Sequence, residues 1–192
     1  VDFGVKKVAE MTAEQVKASL LEAGLWPAIT QRPYGIIANP EVKPKAIFVS
    51  AFATAPLAAD PEFALAADLE HIQTAVKALA KLTDGGVHVS VNSASSAFAK
   101  LEGATIHTFE GKHPAGNVGV QIHHIAPIQK GETVWTVSLV MLAAIGKLFN
   151  TGKYDVRRKI AVTGPKVEGP AYVEGYPGIA IKDLKEFYDA SE

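Results

Sequence analysis

Between residues 45 and 110 short apolar runs alternate with helical segments, and that order constrains the fold more than any other feature of the chain. KAIFVSAF (45–52) reads as a buried strand. Asp60-Pro61-Glu62 then supplies a cap, a first-turn proline and an acid near the positive helix end. A helix is predicted from there to about Leu82, stopped by Asp84-Gly85-Gly86. VHVSVN (87–92) is a second strand, 94–102 a short helix ending at Gly103, and ATIHTFE (104–110) a third strand. Strand, helix, strand, short helix and strand in succession predict a parallel α/β sheet.

The flanks add to this frame. In TAEQVKASLLEAG (12–24), Thr12 and Gln15 stand at capping-box spacing and Gly24 suits a left-handed helix end. LWPAITQRPYG (25–35) is rich enough in Pro and Gly to be read as irregular. GETVWTVS (131–138) is a strand and LVMLAAIGKLFN (139–150) a helix stopped by Gly152. From Tyr154 the character changes: RKIAVTG and PAYVEGYP give two short strands, and IKDLKEFYDA a helix. That is the opening of a small α+β unit, which sets a boundary between 1–153 and 154–192. Val1 in place of Met and the end at Glu192 are expected of a piece of a larger protein.

Composition removes several functions. The chain carries 19 basic and 20 acidic residues, a net charge of −1, so no basic stripe is expected to neutralise a nucleic acid. It has no cysteine, which excludes disulfides, thiolate-bound zinc and iron–sulfur ligation within these 192 residues. Its longest apolar run, 138–149, is broken by Lys147 and falls short of the roughly 20 residues a membrane span needs.

Four stretches are candidate sites. FEGKHPAGNVGVQIHHI (109–125) gathers His113, His123 and His124. Adjacent His123 and His124 lack the i, i+4 spacing of a helical zinc pair, so structural imidazoles are favoured over a metal site. Gly116 and Gly119 follow a strand where a helix N-terminus can meet an anion, but neither G-x-G-x-x-G nor a P-loop is present. The favoured reading is a tight strand-to-helix turn in which Pro114 starts a helix, with His123 and His124 leaving on opposite sides. Ser90, Ser93, Ser95 and Ser96 lack the nucleophile elbow, and no catalytic group is expected. LWPAITQRPYG combines an indole, a guanidinium and a phenol, which suits a flat aromatic ligand with carbonyl oxygens; the plainer alternative is a loop covering the core edge.

Several long segments together resemble the A subunit of the Na+-translocating NADH:quinone reductase. They are LLEAGLWPAITQRPYG (20–35), KAIFVSAFATAPLAAD (45–60), GKHPAGNVGVQIHHIAPI (111–128), VWTVSLVMLAAIGKLFNTG (134–152) and KIAVTGPKVEGPAYV (159–173), in that order. The resemblance implies an α/β fold: a Rossmann-like domain similar to the FMN-carrying subunit of complex I over 1–153, then the start of a β-grasp, soluble-ligand-binding domain over 154–192. Where the complex I relative has a glycine-rich FMN loop, this chain has LWPAITQRPYG, with Trp26, Pro27 and Ile29 in the way of a phosphate. The expectation is therefore that this chain binds no cofactor, with NADH, flavins and iron–sulfur centres on other subunits and ubiquinone as substrate.

The family further implies a peripheral place on the cytoplasmic side of the bacterial inner membrane, docked on the membrane-embedded B subunit. It assigns quinone interaction to Arg32, Pro33 and Tyr34, to which chemistry adds Trp26. His113, Pro114, Gly116, Gly119, His123 and His124 are expected to form a structural turn or docking surface. Two rivals remain at this point: a flavin- or NADH-binding oxidoreductase, and a scaffold that binds no small molecule.

Overall fold

The structure is a computed structural model that describes residues 1–187. Helix α1 (Ala13–Glu22) opens with the expected capping box: Thr12 Oγ1 accepts from the Gln15 amide, and the Gln15 side chain accepts from the Thr12 amide. Gly24 (φ 72°) turns the chain out of it. Strands β1 (Ile29–Arg32) and β2 (Ile36–Ile37) follow, then β3 (Ile47–Ser50), α2 (Pro61–Ala64) and α3 (Leu69–Ala80). After them come β4 (Val87–Val91), β5 (Ala104–Thr108), α4 (Val118–Ile125), β6 (Val134–Val137) and α5 (Leu139–Thr151). Strands β7 (Arg158–Val162) and β8 (Ala171–Gly175) close the order, before a 3-10 segment over Ile181–Phe187.

Six strands form one sheet in the order β2-β1-β6-β3-β4-β5. Strands β6, β3, β4 and β5 run parallel, as their crossover connections require. Strands β1 and β2 add an antiparallel hairpin on the far edge, with Ile29 opposite Val137 and Arg32 opposite Val134. Strands β7 and β8 make a separate antiparallel pair.

The two faces of the six-stranded sheet differ. Ile29, Trp135, Val137, Ile47, Val49, Val87 and Val89 join side chains of α1, α3 and α5 in the main core. Fully buried aliphatic side chains such as Ile72 and Leu79 contribute about 2 kcal/mol each there. On the other face α4 packs its Ile122 against Ala46, Phe48 and Val134 in a smaller cluster.

Several expectations are corrected. LWPAITQRPYG is not irregular: Trp26–Ala28 is a 3-10 turn and the next four residues are β1, because β6 offers an edge to pair with. The helix predicted from Asp60 to Leu82 is broken. Leu65 leaves helical geometry (φ −116°, ψ 16°) to enter the core, and a 3-10 turn over Ala66–Asp68 precedes α3. The short helix near 94–102 is a 3-10 turn, Ala97–Lys100, started by Ser96 and anchored by buried Phe98. The last predicted helix is 3-10 where described, and residues 188–190 of it lie outside the described residues.

A cleft at the carboxyl ends of the central strands as candidate functional site

In an open α/β sheet, ligands bind beyond the carboxyl ends of the strands, at the point where the strand order reverses. Here that point lies between β3 and β6, since β3 leads on to β4 while β6 returns to its other side. A cleft of about 860 Å³ occupies it. Its walls are the turn after α1, residues of β1 and β6, and the starts of α4 and α5.

The starts of both helices are built locally. Ser138 Oγ accepts from the Met141 amide and so caps α5. Asn117 precedes α4 without using its side chain as a cap. The turn before α4 is pinned by Gln121, which is 0% exposed. Its Nε2 donates to Ser50 Oγ (2.8 Å) and to the Ala115 carbonyl (3.0 Å), and Ser50 Oγ lies 2.9 Å from the Gly116 carbonyl. The Gly116 amide donates to Thr54 Oγ1 (3.0 Å). A Cβ on Gly116 would come within 2.9 Å of the Thr54 backbone, so the glycine lets the turn sit against the loop after β3.

Arg32 ends β1 and reaches over α4: a Cβ on Gly119 would lie 2.9 Å from its Nη2. Among the described residues the Arg32 guanidinium has no hydrogen bond or ion pair, and no Asp or Glu lines the cleft. Two helix N-termini, each carrying a partial positive charge, and one unpaired guanidinium thus share a cleft otherwise walled by uncharged side chains, the polar ones being Thr30, Ser50, Asn117, Thr136, Ser138 and Tyr154. That chemistry suits a flat ligand with carbonyl or anionic oxygens.

Of the ten residues singled out from sequence, the fold brings Arg32, Gly116 and Gly119 to this cleft. Trp26 is 3% exposed; its Nε1–H donates to the Ala38 carbonyl (2.7 Å) and its ring meets Trp135 edge to face. It belongs to the core. Pro33 follows a cis peptide bond and Tyr34, 83% exposed, sits in the hairpin turn, outside the cleft. Pro114 does not start a helix: it too follows a cis bond, and α4 begins at Val118. His113 Nδ1 lies 3.2 Å from Thr54 Oγ1. His123 and His124 do not leave on opposite sides. Both are exposed on α4 with their rings 5.4 Å apart, because successive helix positions are only about 100° apart. Among the described residues no group of three or more potential ligands is placed to hold a metal ion. Sequence reasoning missed Ser50, Ser138, Asn117 and Tyr154; Ser50 ends β3 and Ser138 directly follows β6, and the strand-end rule points to them.

The turn after α1 is a poor phosphate cradle. The amides of Gly24 and Leu25 are spent on carbonyls of α1 and those of Ala28 and Ile29 on carbonyls within the turn, and Pro27 has none. An FMN phosphate would find few free donors on this run of backbone.

The fold and cleft define a mixed α/β protein with a parallel-rich sheet and a strand-end site. Residues 11–154 match the family described as the NqrA second alpha/beta domain. The chain belongs to that family, the A subunits of the Na+-translocating NADH-quinone reductases. It is 41% identical over 184 residues to the A subunit of the Serratia proteamaculans reductase, covering 95% of this chain and 41% of that protein. Against the corresponding protein of Cellvibrio japonicus the identity is 39% over 186 residues, covering 96% and 41%. That of Rhodopirellula baltica is 39% identical over 172 residues, covering 89% and 38%. The chain thus spans about two-fifths of the length of these curated relatives. A chain in the crystal structure of an NAD+-reducing [NiFe]-hydrogenase in the air-oxidized state shares the fold, with a TM-score of 0.60 at 14% identity, covering 92% of this chain and 39% of that one.

Proposed function

We propose that the chain works as the quinone-interacting, complex-building domain of a Na+-pumping NADH:quinone reductase, and that its cleft receives the quinone head group. The support is the acid-free cleft with the unpaired Arg32 guanidinium at its wall. A quinone carbonyl gains negative charge on reduction, and a cationic donor held in place stabilises it. Tyr154, which also lines the cleft, takes the phenol role that Tyr34, outside it, does not fill. In this reading the sheet is a Rossmann-like relative of the complex I flavoprotein subunit, and β7–β8 opens a β-grasp unit. The chain carries no flavin of its own, because the backbone donors after α1 are already used. NADH, flavins and iron–sulfur centres reside on other subunits, and the chain docks on the cytoplasmic side against the membrane-embedded B subunit. No helix among the described residues is long and apolar enough to cross a membrane.

The test is calorimetric titration of the chain with a soluble short-chain quinone, with FMN in parallel. Saturable quinone binding is expected, weakened roughly tenfold by Arg32→Ala, in line with loss of one charged hydrogen bond. Unchanged affinity in the variant would remove Arg32 from the site. FMN binding would restore a flavoprotein, and silence from both ligands would leave a scaffold.

A further inference from the structure

A second, smaller cavity of about 220 Å³ lies between α5, the 3-10 turn before α3 and the β7–β8 hairpin. Two sets of contacts hold the hairpin in place beside it. In the first, Asp155, between α5 and β7, binds Lys147 of α5 (2.7 Å) and Arg157 (2.8 Å), and Arg157 also reaches Glu174 (3.2 Å). In the second, Tyr172 packs on Phe63 and accepts from the Asp60 amide (2.7 Å), while Lys159 Nζ lies over the Phe63 ring. These pairings employ Asp155, Glu174, Arg157 and Lys159.

Arg158 is left over. It begins β7, lines the cavity, and its Nε is buried without a hydrogen-bond partner. No other bond or ion pair to its guanidinium occurs among the described residues. Buried donors are nearly always paired, so an exception calls for an explanation, and a bound ion is one that a cavity beside the donor permits. A guanidinium presents five N–H groups in a planar fork that matches two oxygens of a tetrahedral or planar oxyanion. Lys147 spends one of its three N–H donors on Asp155 and lines the same cavity. The volume admits a phosphate-sized group and excludes a nucleotide.

We propose that this junction is a binding site for a small free oxyanion of the phosphate class, held by Arg158 with help from Lys147, which ties the β7–β8 hairpin to α5. Three acids on the cavity wall oppose this: Asp155 and Glu174 are offset by their ion pairs with Lys147 and Arg157, which leaves Asp68, in no ion pair with Arg158. It repels an anion, and its effect separates this proposal from the plain alternative that Asp68 balances Arg158 through water. The proposal stands independently of the quinone reading.

The experiment titrates inorganic phosphate into the 192-residue chain at constant ionic strength, following the arginine Nε–H resonances by NMR and the melting temperature. A saturable shift of the Arg158 Nε–H signal is expected, with a rise in Tm that chloride does not reproduce. Arg158→Gln should weaken phosphate binding by roughly tenfold or more, and Asp68→Asn should tighten it. Should Arg158→Gln fail to fold, Arg158→Lys keeps the charge, loses the fork, and should still bind measurably more weakly. The proposal is overturned if phosphate produces no specific shift, or if Arg158→Gln or Arg158→Lys binds as the parent does. It is equally overturned if Asp68→Asn lowers stability without any phosphate response.

Discussion

His88 and His107 sit on neighbouring strands with Nδ1 and Nε2 2.9 Å apart, and the His88 ring stacks on Phe48. Such a hydrogen bond needs a lone pair on one ring, so the pair cannot be doubly protonated and remain as it is. Burial, and then the facing His107, lower the His88 pKa from its ordinary 6.5, with a hydrogen bond to the Gly85 backbone opposing. Burial lowers His107 as well. The unfolded chain therefore binds more protons than the folded one once the pH falls below about 6.5. Stability should be full above that value and decline as the pH drops through it towards the depressed folded values. Melting temperatures from about pH 7 to about pH 5 should show this fall, and the double variant His88→Gln/His107→Gln should show a shallower one. An equal slope in the double variant would assign the effect to other groups.

At the scale of elements the decisive packing is α3 on α5. Gly146 lies where the two helices approach closely, and a Cβ there would run into the His71 carbonyl. Asn150 Nδ2 to His71 Nδ1, at 2.9 Å, holds the same crossing one turn on. Backbone cannot yield as a flexible side chain does, so Gly146→Ala should cost about 3 kcal/mol or more through overpacking. Denaturant unfolding measures it; a loss below about 0.5 kcal/mol would show that the helices separate freely. The contrasting case is Gly119, whose close neighbour is the flexible end of Arg32, where a methyl group displaces a side chain and not a helix.

For the whole molecule the question is how the hairpin stays on the sheet. Asp155, with a side chain 14% exposed, is the hub: Arg157 and then Lys147 hold its carboxyl well below the usual carboxylate range. Asp155→Asn removes the charge both partners meet and should weaken the junction by about 2 kcal/mol. Hydrogen exchange should then speed up across Arg158–Val162 and Ala171–Gly175 while β3, β4 and β6 keep their protection. Uniform loss across all strands would mean that hairpin and sheet unfold as one unit.

Local chemistry is enough for much of this protein. The Thr12 capping box, the Ser138–Gly152 limits of α5 and the parallel order of β3, β4 and β5 follow from neighbouring residues and period alone. The helix break at Leu65 and the strand identity of ITQR do not: the core recruits a leucine in one case, and β6 lends its edge in the other. The site divides in the same way. Arg32, Gly116 and Gly119 stand out in sequence because their types carry a recognisable chemistry. Trp26 misleads because an indole reads alike in a pocket and in a core until Ala38 and Trp135 are seen around it. Ser50, Gln121 and Arg158 are silent, since a serine, a buried amide and an unpaired guanidinium acquire meaning only from what distant segments bring beside them. Short-range hydrogen bonding and hydrophobic period determine elements; which donors remain unpaired, and what cavity they face, is decided only when those elements pack.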